Sequence, residues 1–100
     1  MGARPAHRGR LYLAANRLEE AVLSLDEGLA VDIRMGAVPF VIKDQIDLAR
    51  ALMTRNTPGD LARASELLRA AGRAAEAHGM TADAARAAKL GVTTTRAPAS

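Results

Sequence analysis

The chain contains no cysteine, so neither a disulfide framework nor a thiolate metal site is available to it. It also has no tryptophan, one tyrosine (Tyr12) and one phenylalanine (Phe40). Val, Ile and Thr are scarce outside 38–46 and 92–95, which leaves an all-β or α/β fold little support. No stretch approaches the ~20 apolar residues that a membrane span needs. The basic opening MGARPAHRGR leads into LYLAANRLEE, whose apolar run is too short for a signal-peptide core. The expectation is therefore a soluble, cytoplasmic protein. Histidine occurs only at His7 and His78, by a terminus and a helix end, so general acid–base chemistry has little to work with.

What is present is alanine, leucine and arginine. Of the 100 residues, 49% are hydrophobic, but 23 of these are Ala, which suits closely packed helices with a modest core. The net charge is +3. The twelve arginines lie dispersed among eleven acids, whereas a phosphate-binding surface concentrates its charge. That spacing argues against DNA binding by this chain alone. A basic helical module associated with nucleic acid is kept as the alternative.

Hydrophobic periodicity predicts five helices. The first covers roughly 9–17. The second, in RLEEAVLSLDEGLAVDIRMG, turns Leu18, Ala21, Val22, Leu25, Gly28, Leu29 and Asp32 or Ile33 inward, and Gly36 stops it. The third begins at Pro39, where a missing N–H costs nothing, and buries Val41, Ile42, Gln45, Leu48, Ala49 and Leu52. Thr57-Pro58-Gly59-Asp60 is expected to start the fourth with Thr57 as N-cap and Pro58 as the first helical residue. Asp60 then completes a shortened capping box. Leu61, Ala64, Leu67 or Leu68, Ala71 and Ala75 face inward, and Gly79 ends that helix. A fifth starts near Thr81 or Asp83 and fades at Leu90-Gly91. Residues 1–8 and 91–100 are expected to be disordered, flanking one domain over 9–90.

Ala21, Leu25, Gly28 and Gly36 recur as Ala64, Leu68, Ala71 and Gly79, each 43 positions later. Small residues that admit a neighbouring backbone, separated by a large one that fills between, are what tightly packed antiparallel helices require.

With Ala21, Leu25 and Gly28 in place, RLEEAVLSLDEGLAVD resembles the second helix of a tetratricopeptide repeat. Tyr12 and Gly9 fall where that repeat has its Tyr and Gly, while its Trp, Leu and Pro positions hold Pro5, Arg8 and Ile33. The 43-residue period exceeds the usual 34 and approaches the HEAT and armadillo range. Residues 9–88 are similar to the C-terminal helical-repeat region of large bacterial regulators, including LuxR-type transcriptional regulators and cyclase-linked ATPases. The resemblance implies an all-α tetratricopeptide-like superhelix fragment of antiparallel hairpins, and a non-enzymatic scaffold that holds a protein or peptide or the rest of a longer regulator. The regulators' own activities do not carry over. This chain has no GxxxxGK phosphate loop and no separate recognition helix.

Adjacent carboxylates such as Glu19 and Glu20 point to different sides of a helix, and Ser24 and Ser65 have no base near them in sequence. No catalytic, cofactor or metal residues are therefore expected. Glu66, Arg69, Arg73 and Glu76 have the spacing of surface pairs worth ~0.3 kcal/mol each. A concave face is expected to present Tyr12, Asn16, Lys43, Asp47 and Arg50 to a partner, with Phe40 either in the core or in a groove. Two repeats fall short of the three or so that independent stability asks for. An end face carrying Leu11, Leu18, Leu61 or Leu67 would favour a homodimer.

Overall fold

The structure, a computed structural model, describes residues 4–95. Its regular elements are all helices: α1 (Pro5–Ala14), α2 (Leu18–Met35), α3 (Val38–Arg55), α4 (Asp60–Ala77) and α5 (Thr81–Thr95). Each packs on the next in sequence. In addition α3 touches both α1 and α5, while α2 and α4 do not approach each other along their backbones. The helices thus form two layers, α1, α3 and α5 in one and α2 and α4 in the other. The 46 × 32 × 19 Å envelope is two helix diameters thick.

The turns explain the stops. Gly36 ends α2 at φ 67°, with the N–H of Ala37 donating back to the carbonyl of Asp32 at 3.0 Å. Gly79 does the same after α4 at φ 69°, with Met80 N–H reaching Ala75 at 2.8 Å. These are two copies, 43 residues apart, of one left-handed helix ending in which the bond spans five residues. Asn16 (φ 59°) and Asn56 (φ 51°) close α1 and α3 with a residue type enriched in this conformation.

Between α1 and α2 the backbones nearly touch. A Cβ on Gly28 would lie 2.6 Å from the backbone nitrogen of Ala6, and one on Gly9 would lie 2.5 Å from Cγ of Leu25. The order of these contacts, 6 with 28 and 9 with 25, makes the pair antiparallel. The inward positions of α2 and α4 fall largely where periodicity puts them, with Ala21, Leu25, Ala64, Leu68, Ala71 and Ala75 all in the core. Of the two alternatives Asp32 and Ile33, it is Asp32 that is buried, and Ile33 is exposed.

Four expectations need correction. Helix α1 begins at Pro5, not near Gly9, because proline is suited to a first helical position and Ala6 docks into Gly28. Helix α5 continues through Gly91 to Thr95. Leu90 packs on the core, and the buried Thr94 hydroxyl donates to the Gly91 carbonyl at 2.8 Å. Residues 1–3 and 96–100 lie outside the described residues. Helix α4 starts two residues later than expected: Gly59 sits at φ 88°, and the Thr57 hydroxyl donates to Asp60 at 2.7 Å instead of capping a backbone N–H. Half of the capping box forms, since Thr57 N–H donates to the same carboxylate at 2.9 Å. Finally, α3 buries not one face but most of its surface, including Asp44, Ile46, Asp47 and Ala51, while Val41 and Gln45 are only half-buried. A helix with neighbours on four sides has no single inward stripe.

Candidate functional site

The face formed by α1, α3 and α5 is held by charge. Asp32 near the end of α2, Asp44 and Asp47 in α3 and Asp83 in α5 are all buried. Burying acids is costly unless each is paired, and basic residues from neighbouring helices meet them. Arg10 of α1 donates to Asp47 at 2.6 Å and to Asp44 at 2.9 Å. Lys43 reaches Asp83 at 3.3 Å, Arg50 reaches Asp47 at 3.4 Å, and Arg86 spans Asp83 at 3.4 Å and Asp47 at 3.8 Å. Arg4, just ahead of α1, donates to Asp32 and stacks 4.8 Å above the ring of Phe40. One connected network thereby joins α1 to α3 and α3 to α5.

Two clefts open on this face. The first, about 380 Å³, is lined by Arg4, His7 and Arg10 of the α1 segment, Asp32 of α2, and Phe40 and Asp44 of α3. The second, about 320 Å³, lies between Arg10, Leu13, Asn16, Asp47, Arg50 and Thr54. A longer groove of about 450 Å³ runs between α4 and α5 on Leu68, Gly72 and Ala87. It offers shape and a rim of Arg69 and Arg73, but no buried polar group.

In the first cleft, Asp44 is the unusual group. It has no solvent exposure, and among the described residues no donor reaches its Oδ2. Burial, together with the hydrogen bond and charge of the neighbouring Asp32, pushes its carboxyl up to about 7 against the opposing pull of Arg10. The Asp44 carboxyl therefore holds its proton up to about neutrality. Arg10 loses some of its charge stabilisation to burial, yet Asp47 and Asp44 outweigh that loss and hold its guanidinium above its ordinary value.

The residues singled out from sequence do not all meet. Asp47 and Arg50 are paired, and with Asn16 they line the second cleft. Phe40, 47% exposed, stands at the first cleft and not in the core. Lys43 is turned towards α5 through Asp83. Tyr12 is half-buried against the core and carries Arg17 at 5.2 Å over its ring, lining neither cleft. Of the proposed end-face residues only Leu11 is exposed, and Leu67 packs on the core. Glu66, Arg69, Arg73 and Glu76 make no ion pair among the described residues, although their spacing allows it. Arg69 and Arg73 border the α4–α5 groove instead.

Sequence reading missed Arg4, Arg10, Asp32 as a site residue, Asp44, Asp83 and Arg86. One signal was available: Asp32 and Asp44 occupy inward positions whose counterparts 43 residues on are Ala75 and Ala87. Comparison with family models, with curated proteins and with solved structures gives no match. Among the described residues no group of acids and histidines is arranged to hold a metal ion. No helix among them is long and apolar enough to cross a membrane.

Proposed function

We propose that the chain is a non-enzymatic helical-repeat scaffold of tetratricopeptide type whose α1–α3–α5 face holds a peptide or a neighbouring protein segment, as in the repeat regions of bacterial transcriptional regulators. One observation carries the reading. Alternate helices touch in one layer and not in the other, so the layer of α1, α3 and α5 is drawn together, and two polar clefts lie side by side on it. That is the arrangement by which stacked helix pairs make a binding face. Further support comes from Gly9, which lies in the repeat's glycine position and packs against Leu25.

The nucleic-acid alternative has less behind it. Arg4, Arg8, Arg10, Arg17, Arg50, Arg55, Arg63 and Arg86 are already engaged by acids. A paired arginine contributes little to counterion release on a phosphate backbone.

Selection from a random peptide library, followed by mapping of the selected peptides on the protein by amide NMR shifts, tests the proposal. Shifts confined to α1, α3 and α5 are expected. Peptides that bind nowhere on that face, with a DNA duplex that binds steeply weaker as salt rises, would overturn it.

A further inference from the structure

The 43-residue register isolates the Asp32–Asp44 pair. Where α2 and α3 carry these two acids, α4 and α5 carry Ala75 and Ala87, equally buried at 0% and 2% exposure. The same kind of seat therefore closes with a methyl group. Packing alone does not ask for carboxyls there, and burying them carries a cost.

What surrounds the pair indicates a ligand. Arg4 already shows how a guanidinium sits in the cleft, with its plane over Phe40 and an N–H given to Asp32. Arg4 precedes the first residue of α1, so the helix limits its reach, and it engages one oxygen of Asp32 only. The Oδ2 of Asp44 has no donor among the described residues. About 380 Å³ of space remains beside these groups. Cation–π stacking combined with a forked donor to carboxylates is how proteins recognise arginine.

We propose that this cleft is a seat for the guanidinium of an arginine on a partner polypeptide, with Arg4 as its intramolecular stand-in. The incoming group displaces Arg4, stacks on Phe40 and donates to Asp32 and to the unused Oδ2 of Asp44. Arg10 stays in place, tied to the other oxygen of Asp44 and to Asp47. The inference rests on the scaffold reading and gives its partner a chemistry.

Binding favours the ionised form of Asp44, so affinity should rise with pH through about 7. The other charged or titratable groups lining the cleft are Arg4, His7 and Arg10, and Asp47 joins them through Arg10. His7→Gln should leave that pH slope in place, whereas Asp44→Asn should remove it.

The test is an amide-NMR titration of the full chain with N-acetyl-arginine methylamide and with its uncharged citrulline counterpart. The arginine probe should shift the cleft residues His7, Phe40 and Asp44, and citrulline should not. Arg4→Ala should raise affinity for the arginine probe about tenfold, and Phe40→Ala should lower it by a similar factor. A folded Arg4→Ala chain that does not distinguish arginine from citrulline would overturn the proposal. If Arg4→Ala fails to melt cooperatively, the wild type and Phe40→Ala decide: equal response of the two to the arginine probe overturns the seat. Arginine-free peptides that shift Asn16 and Arg50 while leaving the cleft unmoved would remove the arginine seat and leave the scaffold reading standing.

Discussion

Helices α2 and α4 are the same length and share a register, yet they are not the same object. Ala21, Leu25 and Gly36 of α2 match Ala64, Leu68 and Gly79 of α4, and both end in the same left-handed turn. At Gly28 the match gives way to Ala71, and at Asp32 to Ala75. The first change reflects distance: α1 lies so close to α2 that a side chain cannot fit. The second exchanges an apolar contact for a buried charge. Where two copies of one framework differ, the shared residues report what the fold needs and the unshared ones report what something else needs.

The largest effect should come from erasing the first difference. Gly28→Ala gives α2 the residue that α4 tolerates, but its Cβ would lie 2.6 Å from the Ala6 backbone nitrogen. A loss of about 1–3 kcal/mol in urea unfolding is expected, through overpacking that backbone cannot relieve as a flexible side chain would. An unchanged midpoint would mean that α1 is free to move away.

The two helix starts differ as well. Neither has a side-chain cap on its N-cap residue, but α4 begins at Asp60, which accepts two bonds from Arg55 at 2.8 Å each and two from Thr57, tying the helix start to the preceding turn. These partners, Arg55 foremost, hold the Asp60 carboxyl well below its usual range despite its burial. Asp60→Ala should cost about 1–2 kcal/mol at neutral pH, through the loss of its charged hydrogen bonds to Arg55 and Thr57. Because the folded-state value is depressed, this contribution is present above about pH 4, the ordinary carboxylate value, and is lost as pH falls further. The gap between wild type and Asp60→Ala should therefore shrink in acid.

The shared turns should behave alike. Gly36 and Gly79 have φ of 67° and 69°, and a Cβ on either meets nothing within 4 Å. Gly36→Ala and Gly79→Ala should each cost about 1 kcal/mol, purely from backbone strain. Markedly unequal losses would break the equivalence of the two units. Smallest of all should be Arg63→Ala, which removes an exposed pair with Asp26 between α4 and α2. No more than ~1 kcal/mol is expected, and less in high salt.

The helices were largely legible because α2 and α4 each face one way. Apolar residues spaced by three and four, ended by Gly36 and Gly79, leave few alternatives. Helix α3 was harder: it has neighbours on four sides, so Asp44 is enclosed with Arg10 and Asp32, and Asp47 with Arg10 and Arg86, pairings that the periodicity of α3 alone does not report. The outer limits of α1 and α5 depend on docking against Gly28 and on the burial of Thr94, which local propensity does not report. In the site, Asp47 and Arg50, three positions apart on one helix, could be paired by spacing. Arg10 lies 34 residues from Asp44 and Arg4 lies 28 from Asp32, and only the folded packing brings them together.

The comparison with Ala75 and Ala87 makes the Asp32–Asp44 pair a cost to stability and not a structural requirement. Urea unfolding of the wild type and of Asp44→Asn, each at about pH 5 and about pH 8, tests it most directly. Burial raises the folded-state value of Asp44 to about 7, above the ~4 of an unfolded chain, so its favourable contribution is complete below about pH 4 and is lost as pH rises through 7. The wild type should therefore weaken relative to Asp44→Asn between pH 5 and 8, by on the order of 1–3 kcal/mol. A wild type that gains on Asp44→Asn over the same interval would contradict the account and make the pair a structural ion network like any other.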